Sequence, residues 1–464
     1  MAPFQLVVGG GAAAAAGTVL LLDPDRLAAF LIVVGAAGFL TVALWRTLLI
    51  VASAAPPPEP APPPVWPSYT LLIALHDEAE VVGQLIGRLA RIDYPPDRLQ
   101  GLLLLEAHDH ATLAATLTTD RPPWLDIVVI PPGKPQTKPR ALNFGLAHAA
   151  GDLLAVYDAE DEPHPRQLRE AAARFAADTT GRLACLQAPL RIRPRRSSFL
   201  DRQFAAEYAS LFEVGVPGMA RLGLPFPLGG TSNHFRTDAL RATGGWDAWN
   251  VTEDADLGFR LWQDGWRSGV MRRPTIESPP GELDNWLPQR TRWLKGYMQT
   301  WGAHTRRPWR LGGRGAAALI LTIGAGLASA ALHGPATAWL TATVLVALVA
   351  GLPPEVPALA AAVMVLGAAS AWLSCFIGAR RAGVPYGPWD MATAPLYWGL
   401  LSLAFGHAVW RLARCPFQWD KTRHRPDLPE AALAPRLAPA QERLDAAARV
   451  RLSALHAAAP EPVA

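Results

Sequence analysis

Four short motifs hold the residues whose types and spacing can do chemistry. The first is Glu106-Ala-His-Asp109, directly after the apolar run Leu102–Leu105. A carboxylate at such a strand end can accept hydrogen bonds from a nucleobase or ribose. The second, Asp158-Ala-Glu-Asp161, follows the apolar run Leu153–Tyr157. Two carboxylates one residue apart can share a hard cation such as Mg²⁺ or Mn²⁺, which takes oxygen ligands and bridges to phosphates. The third, Thr252-Glu-Asp254, offers a carboxylate able to take a proton from a hydroxyl. The fourth is Gln289-Arg-Thr-Arg-Trp293. On a helix Gln289, Arg292 and Trp293 share one face. Arg292 suits phosphate oxygens, Gln289 can hydrogen-bond beside it, and Trp293 offers a flat surface to a sugar ring.

Each motif also has a purely structural reading. Asp109 precedes a helix-like segment and can cap it. Asp158–Asp161, with Pro163 and Pro165 after it, can be a solvated acidic turn. Glu253, Asp254 and Asp256 can be the acidic first turn of a capped helix. Gln289–Trp293 can belong to a helix at a membrane interface, with Trp and Arg at headgroup depth. In the first two the second partner stays open: Glu106 or Asp109, and Glu160 or Asp161.

The elements that must position these motifs alternate. Short apolar runs Tyr69–Leu75, Leu102–Leu105, Trp124–Ile130 and Leu153–Tyr157 read as strands. Helix-like segments around Ala79–Leu89, Thr112–Leu117 and Arg140–Ala149 lie between them. This order predicts an α/β fold: a mostly parallel sheet covered by helices, with ligands at the carboxyl ends of its strands. The acidic motifs follow those ends.

Apolar stretches flank this unit. Pro3–Leu22 and Leu27–Ala55 are each about long enough for the roughly 20 residues a bilayer crossing takes. They predict an N-terminal transmembrane hairpin over 1–55. A Pro-rich linker over 56–67 reads as stiff and extended. The α/β catalytic domain is expected over 68–312, with interface helices at its end. Ala316–Leu332, Ala338–Leu352, Ala358–Ile377 and Met391–Leu412 predict a block of about four helices over 313–412, and 413–464 is expected as a tail. Arg46, Arg306, Arg307, Arg310 and the basic residues after Leu412 mark the domain side as cytoplasmic under the positive-inside rule. Arg380-Arg381 stands against that rule if its loop lies outside.

Composition agrees. Half of the residues are hydrophobic and 18% are charged, with mean hydropathy +0.14, as expected of a chain with several membrane helices. A net charge of +4 without a basic, aromatic-interleaved stripe argues against nucleic acid as a partner. Cys185, Cys375 and Cys415 have neither disulfide-framework nor zinc spacing. Richness in Ala, Arg, Pro and Trp suits a GC-rich bacterial genome, which makes the expected location a bacterial cytoplasmic (inner) membrane, crossed several times.

Taken in order, the four motifs resemble the D, D, TED, QxxRW pattern of family 2 glycosyltransferases, especially the cellulose-synthase-like and hyaluronan-synthase-like bacterial membrane branch. The resemblance covers roughly Tyr69–Trp301. Lys138-Pro-Arg-Ala-Leu-Asn143, Leu228–Arg236, Gly244-Gly-Trp-Asp247 and Phe417-Gln-Trp-Asp-Lys-Thr422 are similar to further segments of that family. The resemblance implies a GT-A-like fold flanked by transmembrane helices. It also implies transfer of a sugar with inversion, from a nucleotide-diphosphate (UDP-linked) donor to a growing polysaccharide, coupled to export. It puts Glu106 or Asp109 at the nucleobase, and Lys138, Asp158, Gln289 and Arg292 at the donor. Asp158 and Glu160 then hold Mg²⁺ or Mn²⁺, Asp254 is the base, and Trp293, Glu253 and Trp246 meet the acceptor. The metal motif reads Asp-Ala-Glu where the family has Asp-x-Asp, and the first motif lacks adjacent aspartates.

The implied partners are a nucleotide sugar, a glycan or lipid-linked acceptor, the bilayer and export proteins. Transfer of one sugar to a lipid carrier is the alternative; Gln289–Trp293 tips the balance toward a polymer. A non-catalytic export component would have lost Asp254 or the Asp158 cluster. A transporter would carry charge within its spans, and these spans hold almost none.

Overall fold

The computed structural model describes residues 23–53, 58–193, 198–353 and 358–419, together with residues 5, 18 and 426. A long helix, α1 (Pro24–Ala52), precedes the α/β unit. That unit opens with β1 (Tyr69–Leu75), α2 (Val82–Leu89), β2 (Leu99–Glu106), α3 (His110–Thr118), β3 (Leu125–Ile130), α4 (Lys138–His148) and β4 (Leu153–Tyr157). It continues through β5 (Glu162–Pro163), α5 (Gln167–Ala176), β6 (Leu183–Gln187), β7 (Leu190–Ile192), α6 (Phe199–Ser210) and α7 (Val216–Arg221). Then come β8 (Asn233–Arg236), α8 (Thr237–Ala242), α9 (Glu253–Gln263), β9 (Arg267–Val270) and β10 (Thr275–Glu277). Five more α-helices follow among the described residues: α10 (Leu283–His304), α11 (Gly312–Leu319), α12 (Ala325–Val349), α13 (Ala358–Ala382) and α14 (Pro388–Arg414).

The main sheet has seven strands in the order β3-β2-β1-β4-β8-β6-β9. β1 pairs in parallel with β2 and with β4, Tyr69 facing Leu99 on one side and Leu153 on the other. β8 runs antiparallel to both β4 and β6. The near-continuous apolar runs follow from burial on both faces. Leu72, Leu102, Leu104 and Val156 point to one face, under α4 and α9. Leu71, Ile73, Leu103 and Leu105 point to the other, under α2 and α5. Truncating one of these to Ala removes about 2–5 kcal/mol. The parallel strands all end on one edge, where the chemistry gathers. A second sheet, β5-β10-β7, lies beside that edge and carries Glu277.

Three described helices are long and apolar enough to cross a membrane: Ile32–Ala52, Pro308–Val349 and Ala358–Ala382. Two expected spans, Ala316–Leu332 and Ala338–Leu352, run as one. Pro335 sits inside α12 without ending it. The backbone N–H of Gly334 donates to Ser402 Oγ at 2.8 Å, so α14 supplies a partner where the ladder is weakened.

α13 packs along α1 and α6. Its far end is tied to the α/β unit: Arg381 donates to Ser53 Oγ at 2.9 Å and to Glu213 O at 2.7 Å. Arg380 and Arg381 therefore lie on the domain side, with the end of α1, and the conflict with the positive-inside rule disappears. Met391–Leu412, expected as a fourth span, differs. α14 starts with Asp390 paired to Arg202 of α6. It ends where Lys295 of α10 donates to Gln418 O at 2.7 Å. Both ends rest on the α/β unit, so α14 lies across its membrane-facing side. The expected first span, Pro3–Leu22, lies outside the described residues apart from Gln5 and Thr18, as does the tail beyond Trp419 apart from Pro426.

Candidate active site

β4 ends at Tyr157, and the next residue is Asp158. The turn after it is held by Asp161, which is fully buried. Asp161 Oδ2 accepts the Asp158 N–H at 2.8 Å and the hydroxyl of Thr231. Burial, then the charges of Asp158 and Glu160, push its carboxyl well up. Asp158 and Glu160 instead face a cavity of about 630 Å³. Of the two residues left open by the sequence, Asp161 builds the turn and Glu160 faces the cavity. Lys138, the first residue of α4, pairs with Asp158 and donates to Gly230 O at 2.7 Å. Burial alone would lower its ammonium; Asp158, Glu253 and Asp254 outweigh it and hold the pKa above its ordinary value.

Asp254 stands in the first turn of α9, where Thr252 is the cap position. Its Oδ1 accepts the Ala255 N–H at 2.8 Å. A Cβ on Gly230 would sit 3.4 Å from Asp254 Oδ2 and 3.9 Å from Lys138 Nζ, so the glycine leaves that space to a ligand. Burial raises Asp254 to about 6. Burial, then the charge of Asp254, raises Glu253 to about 8, against Lys138 and Arg292. Both carboxyls of this adjacent buried pair are thus raised above their ordinary range.

α10 brings the fourth motif to the same place. Gly296 packs onto the side chain of Thr252, where any Cβ would collide, so α10 and the start of α9 meet in close contact. Gln289, Arg292 and Trp293 all line the cavity. Gln289 Oε1 and Arg292 Nε have no hydrogen-bond partner among the described residues. Arg290, buried, is bonded to Glu207 and to Tyr397, and its guanidinium lies 4.5 Å from the Trp293 ring. It fixes Trp293 between Tyr208, at 6.0 Å, and Phe204, at 6.3 Å.

The first motif divides. Glu106 ends β2, lines the cavity and pairs with Arg140 at 3.3 Å. Asp109 does not reach the cavity: both of its oxygens are used within the fold. It caps α3 through Thr112 N at 3.1 Å and holds Asp77 N at 2.6 Å. Burial would raise its carboxyl, and these bonds hold it below the ordinary value. His76, Asp77 and Asp109 also place three potential ligand atoms within 4.8 Å of one another. Trp246, expected at the acceptor, is a core residue. Its ring packs edge-on against Phe235 at 5.9 Å, and Asn143 clamps its backbone. Glu78, Glu277 and Tyr297 line the cavity without having been singled out in the sequence, and so does Trp419 of the Phe417–Thr422 segment, to which no role had been given. Glu78 was findable, since it follows the strand run Tyr69–Leu75 as the other acidic motifs follow theirs.

The fit of a divalent cation rests on the crowding of carboxylates. Burial, then Asp161, Glu160 and Asp158, push the Glu277 carboxyl well above its ordinary range. Glu277 Oε1 and Asp161 Oδ1 lack hydrogen-bond partners among the described residues. Hard oxygen donors with excess negative charge beside an open cavity suit Mg²⁺ or Mn²⁺.

Comparison with known proteins gives this arrangement its place. A model of glycosyl transferase family 2 matches residues 71–215, and one of glycosyl transferase family group 2 matches residues 153–375. The chain carries family 2 glycosyltransferase domains. The second match spans Asp158, Asp254 and Gln289–Trp293. The beta-monoglucosyldiacylglycerol synthase of Synechocystis sp. is 29% identical over 245 residues, 51% of this chain and 50% of that protein. Cellulose synthase 1 of Komagataeibacter xylinus is 24% identical over 244 residues, 50% of this chain and 15% of that protein. The chain thus spans half or less of the length of these relatives. Mannosyltransferase PcManGT from Pyrobaculum calidifontis, solved in complex with GDP-Man and Mn²⁺, superposes with a TM-score of 0.58 at 20% identity. That match covers 83% of this chain and 98% of PcManGT, and is a likeness of fold. The family 2 domain here has the GT-A architecture, a mostly parallel sheet with helices.

Proposed function

We propose that this protein is a membrane-bound, inverting glycosyltransferase whose acceptor has an apolar part seated between the membrane helices. One observation carries this reading. The cavity that holds Asp158, Asp254 and Arg292 continues to Trp45 of α1, Leu321 beside α12, Ala371 of α13 and Leu401 of α14. A nucleotide-diphosphate sugar, first of all a UDP sugar, enters from the strand ends past Glu78 and Glu106. Lys138, Arg292 and Gln289 hold its diphosphate. Asp158 and Glu160 would hold Mg²⁺ or Mn²⁺, which supplies positive charge to the leaving diphosphate. Asp254 takes the acceptor's hydroxyl proton while that oxygen bonds to the anomeric carbon. The carbon–oxygen bond to the diphosphate breaks on the opposite side, and its electron pair leaves with the nucleoside diphosphate. Burial and the charge of Asp254 favour the protonated form of Glu253, which limits the negative charge beside the attacking oxygen.

The apolar far wall favours a lipid or lipid-linked acceptor, in keeping with a relative named for a glucosyl diacylglycerol. A growing polysaccharide, with export partners, is the second reading, favoured by the Trp293 ring on the cavity wall. Arg380 and Arg381 on the domain side support a cytoplasmic α/β unit and an inner-membrane location. The test uses full-length protein in nanodiscs, a panel of nucleotide sugars, and either diacylglycerol or oligosaccharide as acceptor. Nucleotide release stimulated by the lipid, with a glycolipid product, is expected. Long glycan chains lost in Trp293→Ala would favour the second reading, and no transfer from any nucleotide sugar would overturn both.

A further inference from the structure

The chemistry above uses the domain side of the cavity and leaves a cation on the membrane side unused. Arg46 lies near the end of α1 and lines the cavity. Its Nη1 donates to Ser370 Oγ at 3.2 Å and to Gly367 O at 3.4 Å, both neutral groups of α13. Among the described residues no carboxylate pairs with it. A guanidinium held at membrane depth away from water is costly unless an anion or a wet cavity compensates it. Glu207, another carboxylate of the cavity lining, is committed to Arg290 and Tyr397. His333 of α12 also lines the cavity, and its Nε2 has no hydrogen-bond partner among the described residues. Its ring stands edge-on to Trp398 at 5.1 Å. Around these two groups the walls are Trp45, Leu49, Ala371 and Leu401. On the outer side of α1, Leu44 and Leu48 are exposed, where lipid would lie.

We propose that Arg46 binds the phosphate of a lipid whose chains lie in the membrane half of the cavity, so that the acceptor hydroxyl is carried on an anionic, phosphate-headed lipid. A guanidinium bonded only to neutral groups on the wall of a largely apolar cavity fits an anionic headgroup on an apolar body, and among the described residues no carboxylate neutralises Arg46. This rests on the reading of the cavity as the acceptor's seat.

The test compares two probes with the same chains, dioctanoyl phosphatidic acid and dioctanoylglycerol. Binding to the full-length protein in non-ionic detergent is read by calorimetry without any donor, so its failure is separate from a failure of transfer. The wild type is expected to bind the phosphate probe about tenfold or more tighter, as a charge-assisted hydrogen bond implies. Arg46→Gln is expected to abolish that preference, and Arg46→Lys to keep part of it. Nucleoside-diphosphate binding, measured on the same samples, should be unchanged and reports an intact fold. Equal binding of the two probes by the wild type, or a preference that survives in Arg46→Gln, would overturn the site. Displacement of the phosphatidic acid by inorganic phosphate at equal concentration would overturn the lipid class.

Discussion

The guanidinium carbon of Arg292 lies 4.5 Å from the centre of the Trp419 ring. These residues are far apart in sequence, and the stretch after α14 is brought back by main-chain bonds: Gln299 donates to Pro416 O at 3.0 Å and Lys295 to Gln418 O at 2.7 Å. Phe417 packs edge-on against Trp249 at 5.1 Å. The segment thus closes over the donor end of α10.

Removing that ring should loosen the arginine. A cation–π contact contributes about 0.5–2 kcal/mol. Trp419→Ala should therefore raise the KM for the nucleotide sugar by about 2–30-fold, with a smaller change in kcat. Trp419→Phe should keep most of the affinity. Steady-state kinetics with the donor varied decides it; an unchanged KM in the alanine variant would mean the stacking does not orient Arg292.

The pH profile should report Asp254. Activity needs its ionised form, and burial has raised it to about 6. Turnover should therefore rise as pH climbs through about 6 and then level off. Asp254→Asn should lower kcat by about 10²–10⁴-fold while nucleotide binding survives. Stability runs the other way. Both Asp254 and Glu253 are raised, so the folded state holds protons that the unfolded chain, with carboxyls near about 4, would release. Their contribution is present at low pH and is lost as pH rises from about 4 to about 8. The melting temperature without ligand should fall across that window, and Glu253→Gln should flatten the fall.

Chelation should stop transfer, and Mg²⁺ or Mn²⁺ should restore it. Asp158→Asn should lose Mn²⁺ binding, read directly by the paramagnetic signal of the free ion, and should also loosen Lys138. Asp161→Asn should damage the fold more than it damages cation affinity, because Asp161 holds the backbone of the turn.

Trp246 separates core from acceptor site. Trp246→Ala should cost about 3–5 kcal/mol in unfolding, as for other buried aromatics. A milder Trp246→Phe should leave acceptor KM at the wild-type value. A raised acceptor KM in that folded variant would return Trp246 to the site.

The strands that carry the site were readable because β1 and β4 are buried on both faces, and their runs end where their carboxylates begin. Asp158, Asp254, Gln289 and Arg292 follow such local patterns and meet in one cavity. Other features depend on contacts that no local pattern encodes. Asp109 and Glu106 are three residues apart in one motif, yet one turns inward to cap α3 and the other faces the cavity. Ala316–Leu332 and Ala338–Leu352 read as two spans, but Pro335 between them does not end the helix, and Ser402 of α14 takes the Gly334 N–H there. α14 was expected as a span from its apolar run, but it falls short of the three described helices that are apolar enough to cross, and its placement rests on Arg202, Lys295 and the segment that carries Trp419. Trp246 sits in a motif rich in glycine, where an exposed aromatic was expected; the tertiary partner Asn143 draws it into the core.

Arg381 ties three distant parts of the chain at one point, Ser53 at the end of α1, Glu213 in the turn after α6, and its own helix α13. Phe212, the residue before Glu213, lines the cavity. A helix whose apolar length exceeds the local bilayer tilts to fit it. In a thinner membrane α13 must lean, and its anchored end pulls on the backbone beside Phe212. Through Arg381, a change in the tilt of α13 would be felt at the cavity wall before it reached the sheet.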